Sequence, residues 1–212
     1  MSITIVIIVV TVLISFYSFN RRDIMARLMM NPYMIMHRRE YYRVVTSGFI
    51  HKDHMHLLFN MFTLYFFGEY VERIFDYVFG AAGPAYFVIL YVSAIVVSDL
   101  TTLHKHKDNP RYNSLGASGA VSALVFVFIL FLPLEELCLY VFICMPGFIL
   151  GALYIVYSYT QAKRNRDFIN HDAHLFGAIY GVLFCVILYP SSITIFIEQI
   201  SNWSLFQAVL VF

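Results

Sequence analysis

Long apolar stretches separated by short polar connections constrain the fold of this sequence more than any other feature. A helix needs about 20 consecutive apolar residues to cross the ~30 Å hydrocarbon core of a bilayer. Six segments approach or reach that length, at residues 2–19, 54–75, 82–100, 114–132, 137–157 and 171–189. The sequence therefore predicts an all-α fold, a polytopic membrane bundle of six helices.

Composition excludes several other classes of protein. The 212 residues are 60% hydrophobic and only 13% charged, whereas a soluble domain carries about 25% charged residues. A soluble enzyme, a disordered chain and a secreted disulfide scaffold are all poor matches. A net charge of +1 points to no nucleic-acid partner, and no pattern in the chain calls for a cofactor or a metal. We expect one membrane domain at 1–190, followed at 191–212 by an interfacial helix or a seventh span.

The connections and the remaining special residues add further expectations. The first connection, 20–53, mixes arginine with aromatic residues, which is typical of a large loop lying at the lipid headgroups. Cys138, Cys144 and Cys185 lie in apolar runs and are expected to be small buried hydrophobes. Pro146-Gly147 falls inside the predicted fifth helix, where it predicts a kink.

Polar side chains gather on one face of the predicted bundle. All eight histidines, and every Lys and Arg except Arg73, fall in or beside the connections on that face. Ionisable and polar groups inside a membrane are costly and are therefore functional candidates. Four of them lie within the predicted helices, near the same face: His56, Asn60, Ser118 and His174.

Helical spacing relates these residues to one another. His56 and Asn60 are i and i+4 and project from one side of the second helix. Ser118 begins the fourth helix between Gly116 and Gly119, and such small neighbours allow close backbone approach and expose the hydroxyl.

A glycine stripe on the sixth helix completes the pattern. His174, Gly177 and Gly181 follow the spacing i, i+3, i+7 and share one side of that helix. A Gly-x-x-x-Gly surface favours close helix packing, and the natural partner is the fourth helix at Gly119. This packing predicts that His174 lies beside Ser118.

An alcohol beside an imidazole suits acyl transfer. A serine becomes nucleophilic when a base removes its proton, which assigns Ser118 as nucleophile and His174 as base. The developing oxyanion needs donors, and the candidates are the Ser118 backbone N–H, His56 and Asn60. Asp172 points to the opposite side of its helix from His174, so we expect a Ser-His dyad.

Several separated motifs resemble the rhomboid family of intramembrane serine proteases. They are the second-helix signature from His51 to Asn60, Gly-Ala-Ser-Gly at 116–119, His-x-x-Gly-x-x-x-Gly at 174–181 and Tyr-Arg at 42–43. The resemblance implies a water-filled cavity in a six-helix core, with the nucleophile, base and oxyanion roles given above. It also implies supporting roles for Gly116, Gly119, Gly177, Gly181 and Arg43.

The resemblance further implies substrates, an entry route and a location. The substrates are single-pass membrane proteins cleaved in or near their transmembrane segments, and the lipid bilayer is the second partner. Entry is ascribed to movement of the fifth helix, which a kink at Pro146-Gly147 would ease. Bacterial relatives imply the bacterial inner membrane, with the site opening outward. The positive-inside rule places the same basic face in the cytoplasm; we favour the family arrangement.

Two departures and two alternatives accompany this interpretation. Position 122, often aromatic in the family and packed under the catalytic histidine, is Ser122 here, so something else must hold His174. Tyr42 stands where the family often has Trp. One alternative is an inactive relative that binds membrane proteins. The other is a di-metal hydroxylase whose histidine boxes would use His51, His54, His56, His104, His106, His171 and His174. Without a metal, we expect His51, His54, His104, His106 and His171 to be solvated loop residues.

Overall fold

The computed structural model describes residues 2–139, 143–164 and 170–203, and within them the chain is mostly helical. Its helices are α1 (Ile3–Phe19), α2 (Arg22–Leu28), α3 (Pro32–Arg38), α4 (Tyr42–Thr46), α5 (His54–Phe79), α6 (Gly83–Ser98), α7 (Leu100–His106), α8 (Ser118–Phe131), α9 (Gly147–Arg164), α10 (His171–Leu188) and α11 (Ser191–Ser201). Short 3-10 turns cover Ser47–Phe49 and Gly80–Ala82, and two strands, β1 (Glu136–Leu139) and β2 (Ile143–Pro146), form a hairpin.

The helices α1, α5, α6, α8 and α10 fall within or over five of the six predicted segments, and α9 overlaps only the second half of the fifth segment. The mostly helical fold is confirmed. Two helical stretches of the described chain, His54–His106 and His171–Leu188, are long and apolar enough by themselves to cross a membrane. Ile3–Phe19 and Ser118–Phe131 are shorter apolar helices. The number of six membrane crossings therefore stays a prediction.

Local capping explains where the helices of the site begin. The Asp53 side chain accepts a hydrogen bond from the His56 backbone N–H at 2.8 Å and so starts α5. Asn170 does the same for α10, accepting from the Ala173 N–H at 3.1 Å. Both caps lie at the polar face, which fixes the ends of the helices that carry the candidate residues.

Helix α8 is the centre of the bundle, because nearly every residue from Gly119 to Phe131 is buried. It packs against α5, α6 and α10. Helix α1 lies outside α5 and turns hydroxyl-bearing residues inward, namely Thr4, Thr11, Ser15 and Ser18. Part of its apolar surface, including Val9, Leu13 and Phe16, faces outward, where a bilayer would solvate it.

The chain between α8 and α9 corrects the predicted fifth helix of 137–157. Residues 136–139 pair antiparallel with 143–146, and α9 begins only at Gly147. Proline lacks an N–H and is tolerated just ahead of a helix start, so Pro146-Gly147 marks a boundary. The expected mid-helix kink is wrong, so the easy displacement of α9 loses this argument and stays a prediction.

The hairpin also corrects the expectation for two cysteines. Cys138 and Cys144 face each other across the strand pair and form a disulfide. Cross-strand pairing brings the two Cβ atoms close together, which the apolar sequence context did not reveal. Cys185 is buried and free, as expected.

The two regions expected at the membrane interface are partly helical. The first connection folds into α2, α3 and α4. In the tail, α11 follows Pro190 and is tied to α8 where the Gln199 amide donates to the Phe131 carbonyl at 2.8 Å. Residues 204–212 of the predicted 191–212 segment lie outside the described residues.

Candidate active site

Ser118 is the first residue of α8 and is partly exposed. The first N–H groups of a helix have no acceptor within the helix, so the Ser118 amide is directed out of the helix end. Gly116 has φ of 122°, which residues with a Cβ rarely adopt. A Cβ there would also lie 2.7 Å from Cε1 of His56. Glycine at 116 thus permits both the turn into α8 and the close approach of the His56 ring.

The long first connection holds the segment that precedes α8. Met30 and Ser114 exchange two backbone hydrogen bonds of 3.0 Å. The Gly116 N–H donates to the Ser47 carbonyl at 2.9 Å. Residues distant in sequence therefore fix the backbone just before Ser118.

His51 adds a third tie to this segment and is fully buried. The Ala117 N–H donates to its Nε2 at 3.4 Å, so we assign the proton to Nδ1, which lies 3.1 Å from the Ser15 hydroxyl. That hydroxyl donates to the Phe49 carbonyl at 3.2 Å. Burial, and then the neighbouring His56, lower the pKa of His51 to about 3, which keeps the ring neutral. The expectation of a solvated loop histidine is wrong.

Arg43 organises the first connection from within, since only 5% of it is exposed. Its guanidinium donates to the carbonyls of Ala26 at 2.7 Å and Met29 at 3.0 Å, and it pairs with Glu40. A buried cation is tolerated when it is paired and fully hydrogen-bonded. Arg43 therefore holds α2 against α4.

Helices α8 and α10 meet through their glycine faces. A Cβ at Gly177 would overlap the carbonyl of Gly119, and one at Gly181 would overlap the carbonyl of Ala123. The two backbones are therefore in direct contact at two points, one helical turn apart. This contact brings the first turn of α10, with His174, to the end of α8 that carries Ser118.

A cavity of about 310 Å³ lies among α5, α8 and α9 and reaches the first turn of α10. Its polar lining comes from Ser118, His174, Asn60, Ser122 and Tyr154. Thr63 adds one more hydroxyl. The remaining lining residues are apolar: Phe59, Val121, Val125, Phe126, Ile129, Leu137, Leu150 and Gly151. The predicted nucleophile and base thus share one concave, mostly apolar space, as small binding sites usually do.

Asn60 and His56 lie on the α5 side of this end of the bundle. Asn60 is 7% exposed and donates one amide hydrogen to the His56 carbonyl at 2.9 Å. An amide nitrogen carries two hydrogens, so the second can serve an acceptor in the cavity. The half-buried His56 ring lies against Gly116 and outside the cavity wall formed by Ser118 and Asn60.

Position 122, the departure from the family pattern, has a specific neighbour. The Ser122 hydroxyl lies 2.9 Å from the hydroxyl of Tyr154 on α9. The Tyr154 ring stacks with the His174 ring, at a centroid distance of 6.5 Å and an interplanar angle of 20°. Sequence reasoning missed Tyr154, because no local signal separates it from the other aromatic residues of α9.

The start of α10 shows what surrounds the candidate base. Asp172 pairs with Lys105 of α7 at 2.6 Å, a contact that turns its carboxylate away from the cavity. His171 is 4% exposed, which corrects the expectation of a solvated residue. Its ring packs edge-on against the His174 ring, with 6.0 Å between the two ring centroids. The arrangement is compatible with a dyad that uses no orienting carboxylate.

The histidine-box alternative requires several ligands to converge on one point. Across residues 2–139, 143–164 and 170–203, no three His, Cys, Asp or Glu side chains are grouped so that they could hold a metal ion. His54 and His104 are exposed, whereas His51 and His171 are buried. The described geometry gives the hydroxylase interpretation no support.

Comparison with known proteins decides the family. The family model described as the Rhomboid domain matches residues 38–191. The chain belongs to the rhomboid family. Rhomboid proteins are membrane proteins, so the membrane character predicted from composition is confirmed at that level.

Several curated rhomboid relatives align with most of this chain. RHOMBOID-like protein 12, mitochondrial, of Arabidopsis thaliana is 30% identical over 176 residues, which cover 74% of this chain and 50% of that protein. The human presenilin-associated rhomboid-like protein, mitochondrial, is 29% identical and aligns with 66% of this chain and 36% of its own length. YdcA of Bacillus subtilis (strain 168) is 26% identical, over 68% of this chain and 65% of its own. The chain thus spans half or less of the two mitochondrial relatives.

Proposed function

We propose that this rhomboid protein is an intramembrane serine endopeptidase with Ser118 as nucleophile and His174 as general base. The observation that carries the proposal is that Ser118, His174 and Asn60 line one cavity, which extends along α8 from its N-terminal end. A hydroxyl, an imidazole and an amide donor are the groups that acyl transfer requires.

The proposed reaction has two stages. The Ser118 Oγ attacks the peptide carbonyl carbon while its proton passes to the His174 imidazole. The peptide C–N bond then breaks, and the imidazolium returns that proton to the leaving amine. Water next attacks the acyl ester, losing a proton to His174, and the carboxylic acid leaves as Ser118 regains its hydrogen.

The oxyanion formed in each stage needs donors that are already in position. The Ser118 backbone N–H at the helix end and the second amide hydrogen of Asn60 are the donors with the best placement. His56 can act as a third donor after a small ring movement past Gly116. Preorganised donors of this kind contribute several kcal/mol each, about 2.7–4 in a measured case.

We propose that the substrates are single-pass membrane proteins, reached within the bilayer. The mostly apolar cavity suits a lipid-embedded peptide segment, because it offers few groups that compete for the substrate's hydrogen bonds. The expected bacterial inner membrane has no support from the comparisons, in which mitochondrial proteins are prominent. The location proposed here is therefore an integral membrane position only.

A fluorophosphonate probe tests the proposal directly in detergent. We expect one labelled serine, Ser118, in the wild-type chain, and no labelling in Ser118→Ala or His174→Ala variants whose melting temperature is unchanged. The same variants should lose cleavage of a model transmembrane substrate. Labelling that persists in Ser118→Ala would refute the assignment. A folded wild-type chain that neither labels nor cleaves would instead support the inactive, substrate-binding alternative.

A further inference from the structure

The environment of His174 contains an aromatic partner that the mechanism above does not use. A general base must keep its nitrogen aimed at the nucleophile, and a misplacement of about 1 Å can cost 10²-fold in rate. His174 lies on the first turn of α10 and is partly exposed. Asp172, the nearest carboxylate on its own helix, is paired with Lys105, so the imidazole must be held by other contacts.

Tyr154 provides a flat surface for the His174 ring. The two rings are within 20° of parallel, with centroids 6.5 Å apart, inside the range of stacked aromatic pairs. The edge of His171 meets His174 at 6.0 Å with an interplanar angle of 79°. His174 is thereby limited by a ring face from α9 and a ring from its own helix.

Tyr154 is itself held in place. Its hydroxyl is 2.9 Å from the Ser122 hydroxyl, and its ring lies 5.7 Å from the ring of Phe126. Ser122 is one turn after Ser118 on α8 and is 7% exposed. The hydrogen bond therefore joins the helix of the proposed nucleophile to the ring that stacks with the proposed base.

We propose that Tyr154 is a positioning residue for His174, with Ser122 anchoring its hydroxyl. The inference rests on the proposed function and deepens it. The Tyr154 ring from α9, anchored by Ser122 of α8, holds the His174 ring as a single aromatic side chain at position 122 could. Ser122 is then part of the site, and its small size makes room for the ring from α9.

Three substitutions at this pair separate the ring from the hydroxyl. Tyr154→Leu removes the ring and should slow both probe labelling of Ser118 and kcat by about 30-fold, with KM changed less than about twofold. Tyr154→Phe keeps the ring and should lose only about threefold, as expected for one hydrogen bond. Ser122→Ala should match Tyr154→Phe, and the double variant should lose no more than either single one.

Tyr159→Leu is the matched control on the same helix. Tyr159 is 51% exposed and lies beneath the Lys163 ammonium, away from the cavity. We expect its labelling rate and kcat to equal those of the wild type. A comparison of melting temperatures shows whether Tyr154→Leu and the control are equally folded.

Each other outcome overturns a stated part of the inference. If the labelling rate and kcat of Tyr154→Leu equal those of Tyr159→Leu, Tyr154 does not position His174. A raised KM with unchanged kcat shows that Tyr154 only lines the substrate cavity. If Tyr154→Leu does not fold, additive losses in Tyr154→Phe and Ser122→Ala refute the anchoring. A wild-type chain without labelling at Ser118 refutes the proposed function itself, which distinguishes the two failures.

Discussion

Gly177 on α10 lies so close to Gly119 on α8 that no side chain can occupy position 177 without moving a backbone. A Cβ at 177 would overlap the Gly119 carbonyl, and a Cβ at 119 would overlap the Ser98 side chain. Backbone contact fixes both the separation and the axial register of two helices. That register brings His174 to the level of Ser118.

Gly177→Ala should therefore destabilise the protein and reduce its activity. Overpacking of a close contact costs about 1–3 kcal/mol, and the displaced α10 would carry His174 away from Ser118. Thermal unfolding and probe labelling measure the two effects. Gly147→Ala is the control, because a Cβ there meets its nearest neighbour at 3.3 Å. Equal melting temperatures for the two variants would contradict the packing argument.

Asn60→Ala tests the oxyanion role. Loss of one donor to a developing oxyanion lowers kcat by about 10²-fold or more with little effect on substrate binding. We expect that decrease in the cleavage rate of a model transmembrane substrate, with KM nearly unchanged. Asn109→Ala, in the exposed connection before α8, should retain full activity. A large increase in KM at constant kcat would assign Asn60 to substrate binding.

His51 should make stability depend on pH. The pKa of the folded ring is about 3, compared with 6.5 when exposed, because the ring is buried. Between these pH values only the unfolded chain binds the proton, so stability decreases as pH falls, by about 1.4 kcal/mol per pH unit. This contribution to stability is complete above about pH 6.5. The free energy of unfolding should differ less between pH 7 and pH 5 in His51→Gln than it does in the wild type. Equal differences would contradict the neutral, buried assignment.

The hairpin disulfide can be tested by counting thiols. Under denaturing conditions without reductant, an alkylating reagent should modify Cys185 only, and after reduction it should modify all three cysteines. Mass spectrometry of the intact chain gives the count. In Cys138→Ala, one further thiol, that of Cys144, should react before reduction. Three reactive thiols in the unreduced wild type would show that the disulfide does not form.

The same disulfide bears on membrane orientation. Ser118 is at the N-terminal end of α8, and the hairpin follows the C-terminal end of the same helix. The two ends of α8 are roughly 20 Å apart, at about 1.5 Å per residue. Disulfides persist on the oxidising side of a membrane, and basic loops favour the opposite side. If α8 crosses the bilayer, both rules predict that the end of Ser118 faces the reducing side, against the outward-opening arrangement favoured from the family resemblance. In Lys105→Cys, we expect an impermeant maleimide to react only from the reducing side of oriented vesicles. Reaction only from the other side would restore the family arrangement.

The sequence predicted the positions of α1, α5, α6 and α10 well, because apolar length is a local property. Asp53 and Asn170 cap helices that begin within a residue of where the pattern placed them. The hairpin was missed because an apolar run of strand length looks the same as the start of an apolar helix. Pro146 was consequently placed in the middle of a helix.

The candidate site residues could also be predicted, because the polar residues of each motif lie within a few positions of one another. What the sequence alone determined is this set of helices and motifs, since helical periodicity decides which side chains share a face. Only the tertiary structure decided the burial of His51, the stacking of Tyr154 on His174 and the pairing of Cys138 with Cys144. The first two contacts join different segments of the chain, and the free energy that selects them comes from packing between elements, which no local pattern encodes. The two cysteines are only six residues apart, and their pairing follows from the strand pair that the apolar run did not reveal.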